Sequence, residues 1–215
     1  MDVIAVIPAY NEEKTIGDVL SVLQETSLID RIIVVSDGST DKTAEVAGSY
    51  DVDVVELREN LGKGGALQAG LENTRAEVVL FLDADLIGLT KKHVENLVLP
   101  VLQDRADMTI GIFEKGRRAT DFAQKMAPKL SGQRAIKYSL IEQISGMDVA
   151  RFGVEVALNR YMESAQIRVE EVLLPDMSHV MKEEKLGMVK GMAARMKMYW
   201  EIIKSLTKVD SLKIK

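Results

Sequence analysis

Val78-Val79-Leu80-Phe81-Leu82-Asp83-Ala84-Asp85 sets an unbroken apolar run directly ahead of two carboxylates. An apolar run without alternation predicts a strand covered on both faces, as in a parallel sheet flanked by helices. Two hard oxygen donors where such a strand ends suit a divalent cation carrying phosphates. If the strand ran on rigidly through Asp85, both carboxylates would share one face. A turn at Ala84 would also let them converge on one ion, directly or through water.

The same arrangement recurs outward from this stretch. Val3–Pro8 leads into Ala9-Tyr10-Asn11-Glu12-Glu13, and Arg31–Val35 into Ser36-Asp37-Gly38-Ser39. Val52–Leu57 precedes Asn60-Leu61-Gly62-Lys63-Gly64-Gly65, a glycine-rich turn opening a helix, and Met108–Phe113 gives a further strand. Helices are expected between them: one with Ile16, Val19, Leu20 and Leu23 on its apolar face and Asn11 or Thr15 as cap. Thr40–Ala47, Gly64–Asn73 and Thr90–Val98 follow, the last stopped near Pro100. Repeated βαβ units give an α/β fold: one domain, a mostly parallel central sheet with helices on its faces. In such open sheets the strand ends meet along one crevice, where ligands bind.

Beyond Glu114 the rhythm changes. Lys115-Gly116-Arg117-Arg118 reads as an exposed loop, while Phe122–Leu130, Gln133–Ile144 and Phe152–Met162 read as helices. Ile167–Leu174 alternates enough to complete the sheet at an edge, and Pro175–Glu184 reads as a polar connection. The chain divides into a first half (1–115), a second half of the same domain (116–186) and a terminal amphipathic helix (187–215). In that helix Met188, Met192, Met196, Tyr199 and Ile203 recur at helical spacing among Lys190, Arg195, Lys197 and Lys204. Packing on the sheet, a homodimer contact and peripheral attachment to anionic lipid all suit this pattern.

Composition bounds the function. With 47% hydrophobic residues and a formal charge of -5 over 215 residues, the chain is globular and lacks the basic surplus of a nonspecific nucleic-acid binder. The absence of cysteine excludes disulfide and thiol chemistry and fits a cytoplasmic protein. Asp2 stands where a signal peptide would carry basic residues, and no apolar run reaches membrane-spanning length. The expected location is the cytoplasm, with peripheral contact at the inner face of the membrane left open.

Individual residues carry two readings each. Asp37 either accepts from base or ribose donors or closes a tight turn with Gly38 and Ser39. Asn11 and Glu12 either face the crevice or cap the first helix, and Pro8 fixes the exit of its strand. Gly62-Lys63-Gly64-Gly65 lacks the upstream glycine and following Ser or Thr of a Walker A loop. It retains a loose backbone at a helix start with one cation in reach of phosphate. His179 is either a surface imidazole or a third metal ligand, better suited to manganese than magnesium. His93, beside Lys91 and Lys92, is expected to be exposed.

Together these stretches resemble the family-two glycosyltransferases, with Ser36 where that family more usually has Asp or Asn. The resemblance covers roughly the first 115 residues and implies a nucleotide-diphospho-sugar transferase-like domain, with 1–115 as its nucleotide-sugar-binding half and 116–186 as its acceptor-side half. It implies that Ala9 and Glu12 line the nucleoside pocket, Asp37 binds the base and Lys63 sits by base or phosphate. Asp85 would be the principal metal ligand for Mg²⁺ or Mn²⁺, joined by His179, with Asp83 nearer the ribose or sugar. The donor-binding set is then Pro8, Ala9, Asn11, Glu12, Asp37, Gly62, Lys63 and Asp83.

Ser131-Gly132-Gln133-Arg134-Ala135-Ile136 and Arg151-Phe152-Gly153-Val154-Glu155-Val156 look like acceptor-side elements of the polyprenyl-phosphate sugar synthases and the glucosyl-3-phosphoglycerate synthases. In that reading Gly132 and Arg134 contact the acceptor or its phosphate, and Glu155 sits near the transferred sugar. Arg117, Arg118 and Arg134 point to a phosphate-bearing acceptor, either polyprenyl phosphate or a small phosphorylated metabolite. The Gln-x-x-Arg-Trp motif of processive synthases is absent, so one transfer per acceptor is expected.

The catalytic set is Asp83, Asp85, Glu155 and Asp148, the last two being candidate bases for an inverting transfer. A retaining reaction, or an acceptor that attacks through phosphate oxygen, needs no such base. A UDP-sugar is the preferred donor. Two rivals stand beside this reading: a sugar nucleotidyltransferase and a noncatalytic nucleotide-binding domain. The first normally carries a basic, glycine-rich loop after its first strand, where this chain is acidic.

Overall fold

The computed structural model describes residues 2–72, 74–113, 131–144 and 167–179. The seven-stranded sheet is assembled around β1 (Val3–Ala9), which pairs in parallel with β2 (Arg31–Asp37) on one side and β4 (Val78–Phe81) on the other. β3 (Asp53–Leu57) extends the sheet beyond β2. β7 (Arg134–Lys137) runs antiparallel between β4 and β6 (Met108–Phe113), and β8 (Val169–Leu174) lies parallel to β6 at the edge. The order is β3-β2-β1-β4-β7-β6-β8. The order in which successive strands are added therefore reverses between the parallel strands β1 and β4, the place where an α/β sheet opens a crevice beyond its strand ends.

Both faces are covered, as the unalternating strands require. On one face Val3, Ala5 and Ile7 of β1 belong to the core with α1 (Ile16–Gln24) and α4 (Lys91–Leu102). On the other, Ile4, Val6, Val35 and Phe81 join Ala66 and Leu67 of α3 (Gly62–Leu71) and Ile141 of α5 (Tyr138–Ile144). Gly70 brings α3 against the sheet: a Cβ there would stand 2.5 Å from Val6 Cγ1. The short α2 (Thr43–Ala47) is opened by Asp41, whose Oδ1 accepts from the Thr43 amide at 2.9 Å.

Several expectations are corrected. The Gln133–Ile144 segment is not helical throughout; Arg134–Lys137 forms β7 before α5 begins. The neighbouring strands decide this, because β4 and β6 both pair with it and Phe81 and Ile110 share Arg134 as partner. Pro100 does not stop α4, which continues to Leu102. Proline costs a helix one amide bond, and here its carbonyl accepts from Arg105 at 2.9 Å and Ala106 at 3.1 Å, closing the end.

His93 is buried, at 6% exposure. Three- and four-residue spacing puts it on the face of Val94, Leu97, Val98 and Val101, away from Lys91 and Lys92. Nor is 175–179 merely a polar connection: Met177 is buried, and β9 (Ser178–His179) pairs with β5 (Leu86–Ile87). The 115–118 loop, the helices expected over 122–130 and 152–162, and the terminal helix lie outside the described residues. No helix among the described residues is long and apolar enough to cross a membrane.

Candidate active site

The strand ends beside the β1/β4 reversal carry most of the residues singled out in the sequence. Register fixes their level: Ala9 pairs with Ser36, Asp37 with Leu57, and Val6 with Phe81, two residues before Asp83. Two loops are laced together first. The Asn11 and Glu12 amides donate to Ser39 Oγ and Thr43 Oγ1 at 3.2 and 2.7 Å. Asn11 Oδ1 accepts from the Thr40 amide at 2.8 Å. Asn11 adopts φ 57°, a left-handed conformation that Asn tolerates better than most residues. Its side chain thus ties two loops rather than capping α1, whose N-cap is Thr15. Glu12 serves that helix start through its carbonyl, which accepts from Ile16 at 3.0 Å.

Asp37 is 3% exposed at the end of β2. Its Oδ1 accepts from the Leu61 amide at 2.7 Å, and its carbonyl accepts from Asn60 Nδ2 at 3.2 Å. Gly38 follows at φ 65°, where a Cβ would meet the Glu59 and Asn60 backbone at 2.6 and 2.7 Å. The tight-turn role of Asp37-Gly38 is therefore realised, and it holds the 59–62 loop that starts α3.

Lys63, in the first turn of α3, puts Nζ 2.5 Å from Asp83 Oδ1. Gln133 Nε2 donates to the other oxygen, Oδ2, at 2.8 Å. Gly132 packs against this pair so closely that a Cβ would overlap Lys63 Nζ and stand 2.8 Å from Asp83 Oδ2. Arg134, two residues on, is buried, with Nε donating to the Ser131 carbonyl at 2.9 Å. The reversed strand β7 explains this convergence. Entering beside the C-terminal ends of β4 and β6, it delivers Gly132 and Gln133 to Asp83.

Past β4 the chain turns at Ala84–Asp85. Asp83, Asp85 and His179 each offer a ligand atom, all within 4.8 Å of one another. Two carboxylate oxygens and an imidazole nitrogen fit Mn²⁺ well and Mg²⁺ less well. Of the sequence-designated residues, Asp148 and Glu155 lie outside the described residues, as do Arg117 and Arg118. Gln133 is the residue to which sequence reasoning assigns no task and the structure gives one, its contact with Asp83. A polar residue heading a strand that ends up central offers little sequence signal until β7 is recognised.

The profile of Glycosyl transferase family 2 matches residues 4–159. The chain belongs to this family. Its sheet resembles crystal structures of glucosyl-3-phosphoglycerate synthase from Mycobacterium tuberculosis. The complex with Mn²⁺, uridine diphosphate and glucosyl-3-phosphoglycerate superimposes with a TM-score of 0.70 at 26% identity, covering 83% of this chain and 72% of that one. The complex with Mg²⁺ and uridine diphosphate gives 0.67 at 26% identity, covering 83% and 71%.

Among curated sequences, an uncharacterised protein of Methanocaldococcus jannaschii is 40% identical over 114 residues, covering 51% of this chain and 46% of that protein. The 4,4'-diaponeurosporenoate glycosyltransferase of Staphylococcus aureus is 41% identical over 99 residues, covering 43% and 26%. The chain thus spans less than half the length of these curated relatives.

Proposed function

We propose that this family-two chain is a non-processive, metal-dependent glycosyltransferase moving a sugar from a nucleotide diphosphate sugar, UDP-sugar preferred, to a phosphate-bearing acceptor. The observation that carries the reading is the meeting of Lys63, Asp83, Asp85 and His179 at the end of β4, beside the β1/β4 reversal. The similar mycobacterial synthase, crystallised with Mn²⁺, uridine diphosphate and a phosphorylated product, supports both donor and acceptor classes.

In this reading Ala9, Glu12 and Asp37 surround the nucleoside, and Pro8, Asn11 and Gly62 shape the loops around it. Asp85 and His179 hold Mn²⁺ or Mg²⁺, with Asp83 adjacent. The ion supplies neutralisation of charge on the departing nucleoside diphosphate. Lys63 adds a second positive charge at that place, reaching phosphate when it leaves Asp83. Gly132 leaves the space in which donor and acceptor approach, and Arg134 braces the Ser131 turn beside it. Arg117 and Arg118 supply charge for the acceptor phosphate. Glu155 or Asp148 takes the proton of a hydroxyl acceptor; an ionised phosphate acceptor attacks without them.

The deciding experiment is a donor-by-acceptor screen reading released nucleotide, followed by product mass and anomeric configuration. Release of UDP with transfer to 3-phosphoglycerate or polyprenyl phosphate is the expected result. Pyrophosphate release would instead identify a nucleotidyltransferase, and efficient transfer only to neutral sugars would overturn the acceptor assignment.

A further inference from the structure

Gln133 is completely buried, and both ends of its amide are engaged: Nε2 donates to Asp83 Oδ2 at 2.8 Å, and Oε1 accepts from Ser131 Oγ at 3.2 Å. Its backbone is fixed on two sides: the carbonyl accepts from the Gly111 amide at 2.8 Å, and the amide donates to Ser131 Oγ at 3.3 Å. Ser131 Oγ itself donates to the Gly111 carbonyl at 2.6 Å. The entry to β7 is therefore anchored to β6, and the Gln133 side chain projects from a fixed base. A carboxylate only accepts, so the amide must turn its NH₂ toward Asp83.

The terminal torsion of an Asp side chain is broad and roughly two-fold, so a carboxylate is free to swing unless something holds an oxygen. Gln133 holds Oδ2 at 2.8 Å, while Lys63 reaches Oδ1 from α3. These are different oxygens, approached from different elements.

We propose that Gln133 is a positioning residue for the donor site, fixing Asp83 by Oδ2 so that Oδ1 is presented to the cation site shared with Asp85 and His179. The inference rests on the proposed function. In it, Lys63 transfers from Asp83 to diphosphate as the donor enters, while Asp83 keeps its orientation. Only the flexible partner moves. Gly132, with no side chain between the two, leaves that exchange unobstructed.

Calorimetric titration of the full chain with UDP in the presence and absence of Mn²⁺ tests this, alongside donor KM and kcat. Gln133→Met preserves length and burial but removes the donor; Gln133→Glu preserves shape and sets a second carboxylate against Asp83. Loss of a residue that orients a metal-site ligand costs about 10–100-fold in affinity or activity. We expect a loss of that order in Mn²⁺-dependent UDP affinity for Gln133→Met, a larger one for Gln133→Glu, and a fall in kcat beyond the rise in KM.

Thr109→Val is the control. Thr109 Oγ1 accepts from the Ala135 amide at 3.2 Å, so this change loosens β7 without touching Asp83. It should retain wild-type UDP affinity. Equal losses in Thr109→Val and Gln133→Met, or wild-type affinity in Gln133→Met, would overturn the positioning role alone. Failure of the wild-type chain to bind UDP with Mn²⁺ would remove the site reading beneath it.

Discussion

The Asp37 carboxylate accepts from the Leu61 amide at 2.7 Å, fastening the end of β2 to the loop that starts α3. One buried side chain thus sets where Lys63 begins its reach toward Asp83. Gly38 completes the fastening, because at φ 65° it lies against the Glu59 and Asn60 backbone. Gly38→Ala must bear a left-handed conformation, costing roughly 1–2 kcal/mol, plus a backbone clash. We expect a lowered melting temperature and weakened UDP binding together. A variant as stable as wild type would refute the fastening.

Gly132→Ala separates stability from ligand binding. Its methyl group would meet Lys63 Nζ and Asp83, two polar side chains that can yield, rather than backbone. The apo protein should therefore melt within a few degrees of wild type. The methyl group would, however, stand in the space Lys63 crosses and press on both Asp83 oxygens, so UDP affinity measured by calorimetry with Mn²⁺ should fall roughly tenfold, on the scale of displaced groups around a metal-site ligand. Unchanged affinity would show that the close approach has no bearing on the donor.

Much of this arrangement was legible because strand and helix periods differ. The continuous run Val78–Leu82 announced a doubly covered strand, and the two aspartates behind it marked where that strand gives way to a turn. Ile16, Val19, Leu20 and Leu23 likewise announced α1. What the sequence concealed depended on partners distant along the chain. Arg134–Lys137 becomes a strand because β4 and β6 flank it, and that insertion alone brings Gly132 and Gln133 to Asp83. His93 was misjudged from its charged neighbours, although its spacing to Leu97 already placed it on the buried face. Asp37 and Asn11 showed local turn chemistry in the sequence; that it would tie separate loops emerged only from the fold.

Asp85→Ala should remove most catalysis without unfolding the chain, since Asp85 is half-buried in a turn outside the core. A metal contribution of several kcal/mol corresponds to a fall of at least about 100-fold in kcat. Wild-type UDP binding should disappear in EDTA and return with Mn²⁺. Equal affinity with and without EDTA would eliminate the metal role.

At the opposite end of the sheet, Asp107 is held well below the usual carboxylate range by hydrogen bonds from Arg168 and Lys137, against the opposing effect of burial. Arg168 Nη2 lies 2.8 Å and Lys137 Nζ 2.7 Å from it. A depressed carboxylate stabilises the fold fully above its ordinary value of 3.8, and progressively less as pH falls below it. Asp107→Asn should lose on the order of 1 kcal/mol at pH 7 once solvent screening is allowed for. Its deficit should narrow in acid. Chemical denaturation at pH 7 and pH 3 measures the difference; a deficit independent of pH would assign the loss to shape rather than charge.

His93 makes the opposite end of the pH range informative. Burial lowers its pKa from the ordinary 6.5, opposed by the Asp176 charge and the backbones of Gly88 and Pro175. Its Nδ1 is buried with no hydrogen-bond partner. Below pH 6.5 the unfolded chain binds a proton that the folded chain resists, so stability is complete above this value and declines beneath it. His93→Leu removes both the titration and the orphaned nitrogen, whose burial costs roughly 1–3 kcal/mol. The variant should equal or exceed wild-type stability at pH 7.5, and its advantage should grow at pH 5.5. Denaturation midpoints across that interval test the argument. Parallel pH profiles for the two proteins would mean that His93 does not contribute to acid sensitivity.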